Sequence, residues 1–270
     1  MFGVDKPAIG MLHLPALPGA PLNKLDLNTI VRCVLDDAKE LTNGGVDGFL
    51  LENFGDIPFY PHQVPPHTVA FMTALGVEVK RHFRLPLGIN VLRSDPESAL
   101  AIAAAVSAEF IRVNVHTGAR LTDQGVIQGT AHNTLRYRKL LGSDIKIFAD
   151  VDVKHSAPLA GRDFKSEVEE MVSRGCADAV IVTGSATGHE ASIDDLKSAK
   201  AAAGSVDVVA GSGVDASNVA AVLKIADALI VGTSFKRDGI TTNPVDRDRV
   251  HTFMDVVRKI RINLPNASRT

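Results

Sequence analysis

Ile145-Lys146-Ile147-Phe148-Ala149-Asp150-Val151-Asp152-Val153-Lys154 splits into two alternating sets of side chains. Ile145, Ile147, Ala149, Val151 and Val153 are apolar, while Lys146, Asp150, Asp152 and Lys154 bring charge to the other set beside Phe148. Successive side chains of a strand point to opposite faces. The apolar set is therefore predicted to face helices, and the charged set the lumen and mouth of a barrel. An edge strand in water gives the same alternation, so the rest of the chain decides. Seven further apolar runs accompany this one: Ala8–Leu14, Val46–Glu52, Leu87–Leu92, Phe110–Val115, Ala179–Thr183, Val206–Ala210 and Ala228–Gly232. A helix-like stretch follows each run. Strand alternating with helix eight times predicts an α/β chain folded as a single (β/α)8 TIM barrel, which has no edges. The length, 270 residues, suits one barrel, for which roughly 250 residues is typical. The expected division is one domain over residues 1–264 with a frayed tail at 265–270.

Local signals agree. Ile30, Val31, Val34, Leu35, Ala38 and Leu41 recur at helical spacing and predict a first helix over Asn28–Thr42, stopped by Gly44-Gly45. Asp95-Pro96 and Asn243-Pro244 read as caps followed by proline at the first helical position. Four acids, Asp47, Glu109, Asp178 and Asp227, come just before or at the start of apolar runs. At strand starts they belong to the bottom face, where contacts serve stability rather than chemistry. Three long loops, Pro15–Leu27, Asn53–His67 and His116–Ile127, follow the first, second and fourth runs and suit substrate recognition on the top rim.

A net charge of −2 gives no basic field for a nucleic acid, and no apolar stretch reaches the ~18–20 residues that membrane insertion requires. Cys33 and Cys176, far apart and outside any CxxC spacing, read as buried reduced thiols. The N-terminus enters the first run at once, without room for a secretory signal, and the expected location is cytoplasmic. A homo-oligomer is left open by periodicity alone.

Barrel chemistry sits at the C-terminal ends of the strands. Asp150, Asp152 and Lys154 crowd one such end, and charges placed there are costly unless paired or used. Asp150 or Asp152 is expected to act as general base, and Lys154 as general acid or electrostatic stabiliser. Glu52 takes the last lumen-facing position of the second run and joins the catalytic set. His13, Asn53, Asn90, Asn114, Asp123 and Thr183 are the expected substrate-binding residues, with Asp123 on a lid. Arg112, of the same parity as Asn114 and His116, is expected to neutralise Asp150 in the lumen. Ala210-Gly211-Ser212-Gly213 and Val231-Gly232-Thr233-Ser234 close the seventh and eighth runs. In barrels with phosphorylated substrates, those two loops offer backbone N–H groups to the phosphate. Gly184, Gly211, Ser212, Gly213, Gly232, Thr233 and Ser234 form the expected phosphate site. Glu52, Asp150, Asp152, His13 and His155 are hard-metal ligand types, but no compact motif joins them; no cofactor is predicted, and a divalent metal stays unassigned.

Several strings taken together resemble the BtpA family, described as photosystem I biogenesis or BtpA/SgcQ-type proteins. They include Gly10-Met11-Leu12-His13-Leu14-Pro15, Glu52-Asn53-Phe54-Gly55-Asp56, Gly88-Ile89-Asn90-Val91-Leu92-Arg93, Phe110-Ile111-Arg112-Val113-Asn114-Val115, Ala149-Asp150-Val151-Asp152-Val153-Lys154-His155 and Val231-Gly232-Thr233-Ser234-Phe235-Lys236. Ser107 stands where glycine is expected before the fourth run. The resemblance implies a ribulose-phosphate-binding type of barrel and leaves the activity open. The expected function is an isomerase, epimerase or lyase acting on a small phosphorylated, sugar-like metabolite. The alternatives are a non-catalytic assembly factor and a barrel that only binds a phosphorylated ligand.

Overall fold

In the computed structural model, which describes residues 1–153, 156–184 and 192–263, all eight apolar runs are barrel strands. The order is β1 (Ala8–His13), α1 (Leu27–Gly44), β2 (Gly48–Glu52), α2 (Pro66–His82), β3 (Leu87–Asn90), α3 (Pro96–Val106), β4 (Phe110–Val113), β5 (Ala119–Thr122), β6 (Gly125–Gln128), α4 (Ala131–Leu140), β7 (Lys146–Asp150), β8 (Ser156–Pro158), α5 (Phe164–Ser173), β9 (Ala179–Val182), α6 (Ile193–Ala202), β10 (Asp207–Ala210), α7 (Val219–Val222), β11 (Ala228–Val231) and α8 (Arg247–Ile262). Strands β1, β2, β3, β4, β7, β9, β10 and β11 pair in parallel and close into a barrel.

Two apolar shells hold it. Ile111, Val113, Ile147, Ala149, Val180 and Val182 pack outward against the helices. Ile9, Leu50, Phe110, Phe148, Ile181 and Ile230 fill the lumen, with Phe110 and Phe148 stacked at 4.7 Å between ring centroids. Gly88 makes room for this plug: a Cβ there would lie 2.3 Å from the Phe110 ring.

The bottom face carries a fourfold repeat. Asp47, Glu109, Asp178 and Asp227 accept the N–H groups of Ala8, Leu87, Ile147 and Val208, at 2.7–2.9 Å. Each acid also pairs with a base on the helix that packs before that strand in the ring: Arg261 of α8, Lys80 of α2, Arg138 of α4 and Lys200 of α6. Acid, strand start and helix end are thereby tied together at every second strand, the stability role expected of them.

Elsewhere the expectations need correction. Asp246, not Asn243, caps the last helix by accepting the N–H groups of Asp248 and Arg249, because Val245 is held by a bridge to Lys236. The loop after β4 is a hairpin: β5 and β6 pair antiparallel, and β8 joins them in a small separate sheet. Both cysteines are exposed rather than buried; Cys176 lies between α5 and β9 with φ +50°. Ser107 adopts the left-handed conformation (φ 56°) that ends α3 and favours glycine. Among the described residues, no helix is long and apolar enough to cross a membrane.

Candidate active site

Strand register sets the first layer of the site. His13 pairs with Glu52, Glu52 with Asn90, and Asn90 with Arg112, so four polar residues share one level at the tops of four neighbouring strands. The sequence could not orient His13, since both faces of β1 are apolar. Ile9 and Met11 belong to the lumen cluster, which turns His13 inward as well.

Above this level opens a cavity of about 580 Å3, lined by His13, Glu52, Arg112, Asn114, Asp123 and Asp150 together with the turns after β10 and β11. The Arg112 guanidinium grips Asp150 with two hydrogen bonds of 2.9 Å, and Asn114 donates a third at 3.0 Å. Asn90 in turn donates to Asn114 at 3.0 Å. Burial works against the Arg112 charge, but the Asp150 carboxylate outweighs it, and the Arg112 pKa rises. Glu52 lies 3.8 Å from His13 Nε2, both side chains being largely buried. His13 also packs on Phe54 at 4.7 Å, and against Gly232, where a Cβ would come within 2.9 Å of Cε1 of the imidazole.

Arg93 enters the cavity from the loop after β3, a residue that strand parity did not select. Burial lowers its pKa, opposed by the nearby carboxylates of Asp150, Asp123 and Glu52. Asn53 supports this loop from outside the cavity: its Oδ1 accepts Leu92 N–H at 2.7 Å, while its Nδ2 donates to Asp56 at 3.1 Å. Burial pushes the Asp56 carboxyl above its ordinary range.

At the other side of the mouth, Gly211, Ser212, Gly213, Gly232, Thr233 and Ser234 all line the cavity. Several of the expected phosphate-binding groups are already engaged within the protein. Gly211 N–H bonds Val182 O at 2.8 Å, and a Cβ there would lie 2.4 Å from Ile181, so this glycine serves strand packing. Gly184 N–H bonds Ser212 Oγ at 2.7 Å and is absent from the lining. The hydroxyls of Thr233 and Ser234 bond Thr241 and Val214 O. Arg249, in the first turn of α8, adds a cation to this wall; nothing in the sequence pattern singled it out.

The fifth barrel strand, β7, departs from its expected alternation once it ends. β7 stops at Asp150; beyond it Asp152 turns outward, 59% exposed, to pair with Arg120, which also holds Glu167. Val153 turns inward and lines the cavity. Asp152 is therefore part of a surface ion-pair cluster, not the mouth. His116 likewise leaves the lumen face, its Nε2 donating to Gly175 O at 2.8 Å. Thr183 Oγ1 donates to Asp152 O at 2.7 Å and sits behind the cavity wall, as does Asn90. Asp123, at the tip of the β5–β6 hairpin, does reach the cavity. Lys154, His155 and the Ser185–Gly188 part of the loop after β9 lie outside the described residues. Among the described residues, no three His, Cys, Asp or Glu side chains converge as metal ligands.

The sequence matches the model of the BtpA family over residues 4–259. The photosystem I biogenesis protein BtpA of Synechocystis is 41% identical over 267 residues, covering 99% of this chain and 93% of its own. An uncharacterized protein of Thermococcus kodakarensis is 43% identical over 256 residues, covering 95% and 97%. Solved structures share the fold at much lower identity. The native KDPGal structure has a TM-score of 0.59 at 15% identity, covering 96% of this chain and 97% of its own. N-(5'-phosphoribosyl)anthranilate isomerase from Pyrococcus furiosus has 0.57 at 11%, covering 94% and 99%.

Proposed function

The chain belongs to the BtpA family, and from the chemistry gathered at its barrel mouth we propose an enzyme that performs isomerase or lyase chemistry on a small phosphorylated, sugar-like metabolite. The observation that carries this reading is the meeting of two unlike sets of residues on one cavity: Gly213, Gly232, Thr233 and Ser234 with Arg249 from beyond β10 and β11, and His13, Glu52, Arg93 and Asn114 from the ends of the first four barrel strands and the loop after β3. Glycine and hydroxyl turns after the last two barrel strands suit a phosphate, and Arg249 supplies a charge-assisted donor. Glu52 is the general base, with His13 beside it to exchange the proton. Arg93 stabilises the negative charge that develops when a proton is removed next to a carbonyl. The Arg112–Asp150 pair is the rigid floor on which Asn114 is oriented. Fold likeness to the phosphoribosylanthranilate isomerase adds analogy and no more.

The test is thermal unfolding with inorganic phosphate and phosphorylated sugars, followed by assays with whatever binds. A ligand at 100 times its Kd adds roughly 2.7 kcal/mol of apparent stability. Arg249→Ala is expected to weaken every phosphorylated ligand while the protein stays folded. Glu52→Gln is expected to retain binding and lose about 10²–10⁴-fold in turnover. Full turnover by Glu52→Gln refutes the assignment of the base. The name of the Synechocystis relative favours a second reading, an assembly factor without catalysis. Capture of a protein partner, with no phosphorylated ligand bound, would support that one.

A further inference from the structure

Apolar side chains are interspersed with the polar ones around the mouth, and nothing in a sugar phosphate needs them. Phe54, Ile57 and Phe59 come from the loop after β2, Leu92 from the loop after β3, and Val153 from beyond β7; all line the cavity. The ring order β1-β11-β10-β9-β7-β4-β3-β2 closes on itself and sets the ends of β2 and β3 two to four strand positions from those of β10 and β11, with β3 directly opposite β10. Phe54 and Phe59 are half-buried and Ile57 is 45% exposed, so these side chains are presented to the mouth rather than consumed by the core. At about 580 Å3 the cavity falls in the range of about 300–1,000 Å3 that accommodates drug-sized ligands.

From this we infer that the substrate is a phosphate ester carrying an aromatic or heteroaromatic ring, with the phosphate at the β10–β11 turns and the ring against Phe54, Ile57 and Phe59. The inference rests on the phosphate reading above and extends it. Hydroxyls pressed against phenyl rings lose their water without a replacement hydrogen bond. A planar ring removes apolar surface from water and can pack offset or edge-on to Phe54 and Phe59. The reacting carbons then lie between the two ends, over Glu52 and Asn114. His13 is already held by Phe54, so a ring seated there also fixes the imidazole next to Glu52.

Calorimetric titration of the full chain with inorganic phosphate, ribose 5-phosphate, phenyl phosphate and nucleoside 5'-monophosphates tests the idea. At least one ring-bearing ester is expected to bind about tenfold or more tightly than ribose 5-phosphate, the equivalent of ~1.4 kcal/mol. Phe59→Ala is expected to bring that ratio to within about threefold of unity. Ile57→Ser, at a more exposed site on the same wall, serves as the second variant if Phe59→Ala unfolds. Ribose 5-phosphate binding as tightly as every ring-bearing ester overturns the ring inference and leaves the phosphate site standing. A ratio that survives both substitutions places the ring elsewhere and overturns it too. Binding of none of the probes, inorganic phosphate included, overturns the phosphate reading and this one with it.

Discussion

Replacing Arg112 by methionine tests whether the floor of the site is a buried ion pair that the fold cannot leave half-made. The Asp150 side chain is fully buried and its carboxylate accepts three hydrogen bonds, two of them from Arg112 at 2.9 Å. Arg112→Met removes both charge-assisted bonds and leaves the buried acid with the Asn114 hydrogen bond and the more distant charge of Arg93. Breaking a buried pair in this way costs about 3–5 kcal/mol, because one charge is left uncompensated. At about 2–4 °C per kcal/mol for a domain of this class, the melting temperature should fall by ~10 °C. Replacing both partners, Arg112→Met with Asp150→Leu, removes the stranded charge and is expected to return most of the loss, to within ~1–2 kcal/mol of the parent. Guanidinium unfolding followed by circular dichroism across this double-mutant cycle gives the coupling energy directly. If Arg112→Met costs less than ~1 kcal/mol, as an exposed pair would, or if the two substitutions simply add, the account of the floor is refuted.

Two further outcomes concern stability alone. Asp178→Ala takes away the acceptor of Ile147 N–H and the partner of Arg138 at the bottom face, and should cost about 1–3 kcal/mol in denaturant unfolding. Ligand affinity at the opposite end should not change, and a lost affinity would contradict the separation of the two faces. Burial lowers the His116 pKa below its ordinary 6.5, so the folded protein prefers the neutral ring while the unfolded chain takes up a proton first. Its contribution is therefore present above pH 6.5 and is lost as pH falls below that value toward the depressed folded pKa, at no more than ~1.4 kcal/mol per pH unit. His116→Gln should flatten this part of the stability profile between pH 7 and pH 5, and an unchanged slope argues against the imidazole as its source.

The barrel itself was legible in the chain because its determinants are local and repeated. Apolar runs of strand length, acids at strand starts and glycine or Asp-Pro punctuation each act within a few residues, and eight copies leave one closed topology. The pairing of Arg112 with Asp150 followed from strand parity, and the two glycine turns meeting on one rim from their place at the ends of the last two barrel strands. Parity holds only while the ladder lasts. Past Asp150 the backbone is no longer held by a neighbouring strand, so Asp152 swings out to Arg120 and Val153 swings in, the reverse of the alternation. His116 escapes the lumen for the same reason, three residues after β4 ends. The inward turn of His13 was invisible because apolar residues on both faces of β1 carry no directional signal. Arg93 and Phe59 reach the mouth through the loops after β3 and β2, whose paths are fixed by distant contacts, such as Asn53 holding Leu92. Short-range pattern thus determined the scaffold and the level of the site, while the composition of the cavity wall was decided by tertiary contacts beyond the strand ends, where no periodic hydrogen-bond ladder constrains the chain.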